Sequence, residues 1–221
     1  MKAIFLDMDG ALAEGLPAAA ATPPDAFPNA LRNASPAASP AASPGAPSGA
    51  PPCDIARRLM LCHGAGAALR LLARLDYRLF IVGTLDGIAF GRLAAAATEG
   101  IADRLHDLLF RERLALDGLY YCPHHPDGSV AAYAVDCHCR KPRPGLLLEA
   151  SREHGIDLRA SWMVGATLHD VEAGNRAGCR TILLDNGKET EWRLGPRRIP
   201  TRMAPDLYAA AVLIASHGEL A

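Results

Sequence analysis

Short apolar runs alternate along the chain with stretches whose apolar residues recur at helical spacing. Ala3 to Asp7 is an apolar run that ends in polar residues, which predicts a buried strand. Arg78 to Val82, Trp162 to Val164 and Thr181 to Leu184 predict three more. Between them, Gly64 to Leu75 carries a helical pattern, and Ala89 to about Arg113 predicts a helix with Gly91 and Gly100 as its breakpoints. Pro144 to His154 predicts a helix with proline near its start and Gly155 beyond its end. Asp170 to Ala177 predicts a short helix stopped by Gly178, and a last helix is expected near Tyr208 to Ser216. Strands alternating with helices imply an α/β fold with a parallel, doubly wound sheet. In such sheets ligands gather at the carboxyl ends of the strands, so the residues just after each strand are the place to look for chemistry.

One segment has neither pattern. Pro17 to Pro52 is almost entirely Ala, Pro, Ser and Gly and holds ten of the 17 prolines. Within it Ala34-Ser35-Pro36-Ala37 is followed by Ala38-Ser39-Pro40-Ala41 and Ala42-Ser43-Pro44-Gly45. Too few large apolar groups are present to offset the entropy of ordering, so residues 17–52 are expected to be a disordered or polyproline-like insertion. Loop closure grows only logarithmically with length, so residues 1–221 can still form a single domain around it.

Half of the residues are hydrophobic, 21% are charged, and the formal net charge is -1. That balance gives no electrostatic case for nucleic acid or an anionic membrane surface as partner. No apolar run approaches the roughly 20 residues of a membrane span. The opening Met1-Lys2-Ala3-Ile4-Phe5-Leu6 briefly imitates an export signal, but Asp7 and Asp9 interrupt it, so a cytoplasmic monomer is the expectation. The six cysteines are not spaced like a disulfide framework.

Asp7-Met8-Asp9-Gly10 follows the first strand. Two carboxylates there can divide nucleophilic attack and proton transfer between them, and they also offer hard oxygens to Mg²⁺. The same four residues can instead form a plain turn. Asp170 lies after the third predicted strand, as a helix N-cap or as a further ligand for the same cation. Arg140-Lys141-Pro142 supplies a fork for a phosphate and a point charge for a transferred group, or else an exposed basic pair. Cys122, His124, Cys137 and Cys139 sit in two close pairs and match a tetrahedral Cys₃His zinc site. A full protein shell leaves no open position, so that zinc would be structural, a staple for a long loop. Cys53, Cys62 and Cys179 read as ordinary small residues, and the scattered His63, His106 and His154 receive no role.

The order of Asp7-Met8-Asp9-Gly10, Arg140-Lys141-Pro142 and the Asp170 segment resembles haloacid dehalogenase-type phosphatases. Tyr120-Tyr121-Cys122-Pro123-His124-His125-Pro126, with Cys137-His138-Cys139, resembles the zinc-containing branch that acts on D-glycero-D-manno-heptose 1,7-bisphosphate, whose close relatives act on histidinol phosphate. The resemblance runs from Lys2 to about Gly10 and from Cys62 to about Gly187. It implies a Rossmann-like sheet without a large cap domain and a small sugar phosphate as substrate. Asp7 would attack phosphorus and Asp9 would protonate the leaving hydroxyl and then activate water. Asp7, the Asp9 carbonyl and Asp170 would hold Mg²⁺, Lys141 would steady the phosphoryl group and Arg140 would recognise substrate. Three departures stand out. The phosphate-binding hydroxyl of the second strand falls at Gly83, with Thr84 one step late and Asp86 bringing like charge towards an anionic substrate. A usual Mg²⁺ carboxylate falls at Ala166, which predicts weaker cation binding. The substrate loop after the first motif is replaced by the Ala/Pro/Ser segment. These departures leave a catalytically impaired relative, acting as a binding or regulatory module, as the alternative.

Overall fold

The computed structural model describes residues 1–15 and 57–218, so the expected insertion at 17–52 lies outside the described residues. Strand β1 (Ala3–Asp7) is buried along its whole length because strands flank both its edges and helices pack on both its faces. Its alternate residues serve opposite faces: Ile4 and Leu6 pack into one apolar cluster, Ala3 and Phe5 into the other. A small antiparallel pair, β2 (Ala13–Glu14) with β3 (Met60–Leu61), stands apart. The main sheet continues with β4 (Arg78–Thr84), β5 (Gly118–Cys122), β6 (Trp162–Gly165), β7 (Arg180–Leu184) and β8 (Arg202–Ala204). Its order is β5-β4-β1-β6-β7-β8, and every neighbouring pair is parallel.

Helices α1 (Ala65–Leu72), α2 (Ala97–Arg111) and α5 (Leu207–Gly218) cover one face; α3 (Gly145–His154) and α4 (Leu168–Ala177) cover the other. This is the doubly wound Rossmann-like architecture that the alternating pattern predicts. Among the described residues, nothing forms a cap domain over the sheet, and no helix is long and apolar enough to cross a membrane.

Three expectations are corrected. The helix expected from Ala89 begins only at Ala97, because Gly91 turns at a φ of +66°; Gly100 lies inside the helix and does not break it. From Ala97 onward, Ile101, Leu105 and Leu109 keep one buried stripe at four-residue spacing. The helix expected to open at Asp170 starts at Leu168 with Thr167 as N-cap, so Asp170 is its third residue. Strands β5 and β8 were not legible at all. Both lie at the sheet edges and are only partly buried; β8 is three residues long, and the apolar run Leu119 to Cys122 of β5 merges into the Cys/His motif.

Candidate active site

Asp7 is the last residue of β1, level with Val82 of β4. Beyond it the chain doubles back: Leu12 N–H donates to the Asp7 carbonyl at 3.2 Å and Ala13 N–H to that of Met8 at 3.0 Å. The reversal requires Gly10 at a φ of +82°, under the aliphatic chain of Lys188. Asn186 Nδ2 donates to the Gly10 carbonyl at 2.6 Å, and Lys188 Nζ stands 3.7 Å from Asp9 Oδ2. The loop after β7 therefore supports the loop after β1.

Lys141 precedes α3 and reaches into the same crevice. Its Nζ lies 2.5 Å from Asp7 Oδ1 and 2.5 Å from Asp170 Oδ1. Asp170 Oδ2 accepts from Thr167 N–H at 3.0 Å and from Thr167 Oγ1 at 2.8 Å, the reciprocal arm of a capping box. Gly165 makes this approach possible, since a Cβ there would collide with the Asp170 side chain. Asp7, Lys141 and Asp170 are only 6%, 8% and 1% exposed. Two buried carboxylates thus face one ammonium. Burial, followed by the Asp170 charge, pushes the Asp7 carboxyl up to about 7 in spite of Lys141. Burial also opposes the Lys141 charge, yet Asp170 and Asp7 together hold it above the ordinary lysine range.

These groups open into a cleft of about 270 Å³ that Asp9, Thr84, Asp86, Arg140 and His169 also line. All the expected phosphate-site residues are therefore brought together. Thr84 lines the cleft despite its shifted position. The space beside Gly83 is filled by Met8: a Cβ on residue 83 would stand 2.8 Å from Met8 Cε. Arg140 is held by Asp86 at 3.2 Å and by the His124 carbonyl at 3.2 Å, so the Asp86 charge is met by a guanidinium. His169 and Lys188 were missed, although the same strand-end rule that exposed Asp170 points to both.

The expected cations can be tested against these donors. The excess of negative charge suits a divalent ion, and Asp7 Oδ2 accepts no hydrogen bond among the described residues. Asp170 contributes charge, but both its oxygens are engaged, by Lys141 and Thr167. Ala166 is buried and offers no oxygen. One or two carboxylates with water and a substrate phosphate are sufficient for Mg²⁺. The second cluster is more complete. The ligand atoms of Cys122, His124, Cys137 and Cys139 all lie within 4.8 Å of one another. Their Sγ–Sγ separations are 3.5 Å (122–137) and 3.2 Å (137–139), and His124 Nδ1 is 3.4 Å from Cys139 Sγ. Tetrahedral bonds of about 2.3 Å to sulfur and 2.0 Å to nitrogen imply edges of roughly 3.5–3.8 Å, so the cluster is close to zinc geometry.

Comparison with known proteins defines the class. The HAD-hydrolase-like family model matches residues 138–210, which carry Lys141 and Asp170. The chain belongs to this haloacid dehalogenase-like hydrolase family. Within it, the chain is 40% identical over 122 residues to the D-glycero-beta-D-manno-heptose-1,7-bisphosphate 7-phosphatase of Yersinia pestis, covering 55% of this chain and 65% of the relative. It is 39% identical over 126 residues to the protein of the same name from Pasteurella multocida, covering 57% and 68%. The chain thus spans about two thirds of the length of such relatives. Among solved structures, the D,D-heptose 1,7-bisphosphate phosphatase of B. bronchiseptica, complexed with magnesium and phosphate, superposes with a TM-score of 0.69 at 26% identity, over 98% of this chain and 99% of that one.

Proposed function

We propose that this chain is a Mg²⁺-dependent phosphomonoester hydrolase for a small sugar phosphate, working through an aspartyl-phosphate intermediate. The observation that carries the reading is the buried Lys141 ammonium joined to both Asp7 and Asp170 at the floor of one cleft. An Asp7 oxygen attacks phosphorus, and the P–O bond to the leaving oxygen breaks. Asp9, at the cleft edge, gives that oxygen a proton. It then takes a proton from the water that releases inorganic phosphate and regenerates the Asp7 carboxylate. Lys141 holds the Asp7 carboxylate in line and neutralises charge on the transferred group. Thr84 and Arg140 bind the phosphoryl and distal parts of the substrate. The Asp7 carboxylate and Asp9 carbonyl, with Asp170 beside them, would hold Mg²⁺, which supplies charge neutralisation for the phosphoryl oxygens. Cys122, His124, Cys137 and Cys139 would hold zinc as a staple, and reduced thiols for that purpose fit a cytoplasmic protein. The names of the relatives make D-glycero-D-manno-heptose 1,7-bisphosphate the first compound to assay. Phosphate release from a panel of sugar phosphates and histidinol phosphate, with and without Mg²⁺, tests the reading; Mg²⁺-dependent release that disappears in Asp7→Asn supports it.

Gly83 and Ala166 favour a second reading, a binding or regulatory module that keeps the fold and the zinc. Calorimetric titration separates the two. Mg²⁺ binding at physiological concentration together with turnover would end the module reading.

A further inference from the structure

The charges of the cleft carry a statement about substrate class that the named relatives do not. Among the described residues, the three cations that line the cleft or stand at its edge, Lys141, Arg140 and Lys188, each face a carboxylate. Lys141 is shared by Asp7 and Asp170. Arg140 is paired with Asp86, and its other terminal nitrogen donates to the His124 carbonyl. Lys188, at the edge, stands 3.7 Å from Asp9.

One phosphoryl group finds Lys141, with a metal ion, at the floor. A second phosphate at the far end of a sugar that reaches Arg140 meets Asp86 fixed beside the guanidinium. There it meets a nearly neutral pair rather than a free cation, and its charge is opposed by the Asp86 carboxylate. A sugar hydroxyl in the same position can instead donate to Asp86. We infer that the cleft selects phosphate monoesters with an uncharged, hydroxylated distal end over bisphosphates, and that Asp86 is the selecting residue.

The inference rests on the proposed phosphatase reading only for which end of the ligand enters first. The experiment compares mannose 6-phosphate with fructose 1,6-bisphosphate in wild type, Asp86→Asn and Asp86→Ser. Turnover gives kcat/KM, and calorimetric binding of both compounds in the presence of Mg²⁺ is measured alongside. Wild type is expected to favour the monophosphate. Both variants, with Arg140 released, should shift the mono-to-bis ratio towards the bisphosphate by about tenfold or more, an effect that shrinks with added salt. The shift should appear in KM and in Kd, with a smaller change in kcat. If nothing is hydrolysed while the binding ratio still shifts, the phosphatase reading fails and the selection by Asp86 stands. A wild-type preference for the bisphosphate, a ratio unchanged in both variants, or binding of neither compound overturns the inference.

Discussion

Replacing Lys141 by methionine removes the one positive charge between two buried carboxylates. The shape of the side chain is largely kept, so the loss is electrostatic. Asp7 Oδ1 and Asp170 Oδ1 each lose a partner at 2.5 Å. Breaking a buried ion pair from one side typically costs about 3–5 kcal/mol. For a domain of this size, about 2–4 °C of melting temperature corresponds to each kcal/mol, so the expected drop is about 6–20 °C. The penalty must also depend on pH. The Asp7 carboxyl titrates near 7 in the folded protein, against 3.8 ordinarily, so the folded state holds the proton more tightly than the unfolded one. The Asp7 contribution to the stability of the Mg²⁺-free protein therefore falls as pH rises from about 4 to about 7. Without Lys141 the folded carboxyl moves higher still, and the decline continues beyond neutrality. The gap between wild type and Lys141→Met should widen from pH 6 to pH 8, read by denaturant unfolding in Mg²⁺-free buffer. Adding Asp170→Asn to the variant removes one of the two stranded charges and should recover part of the loss. A Lys141→Met protein within about 1 kcal/mol of wild type at pH 8 would show that the cluster is not the buried, coupled unit described.

Other outcomes follow from the same geometry. The purified protein should carry one zinc per chain; Cys137→Ser should lose it, melt earlier and raise KM, because Arg140 is held by the carbonyl of the zinc-loop residue His124. Gly165→Ala should force Asp170 away from Lys141 and destabilise by about 1–3 kcal/mol, measured by thermal unfolding. Glu172 is pulled up by burial, but Arg198 and Arg176 outweigh this and hold its carboxyl below the usual range. Its contribution is present above about pH 4.5 and is lost as pH falls through the lower folded value, so Glu172→Gln should flatten the acid limb of the stability curve.

Much of the fold could be read because the buried centre of the sheet is written as unbroken apolar runs. Ala3 to Asp7 and Thr181 to Leu184 are such runs, and Asp7 closes the first where a ligand crevice must form. The zinc cluster was legible for a different reason, since thiol and imidazole pairs at short spacing have few other uses. The edge strand Gly118–Cys122 was hidden although it carries an apolar run, because that run is half exposed and leads straight into the Cys/His motif. The partnership of Asp86 with Arg140 was hidden as well. The two residues lie 54 positions apart, and only the register of β4 with β5 and the zinc loop brings them together. Asp86 alone therefore suggested repulsion, whereas the pair is nearly neutral. The role of Met8 beside Gly83 likewise depends on cross-strand alignment and not on either residue alone.

A covalent phosphoryl group on the first strand-end carboxylate is the pivot of the account. Acid-quenching the protein during turnover of a sugar phosphate with Mg²⁺ and mapping the adduct by peptide mass spectrometry examines it directly. The expected result is phosphorylation confined to Asp7 and absent from Asp7→Asn. Phosphate released at an undiminished rate by Asp7→Asn, or released by wild type with no adduct on that residue, would contradict it.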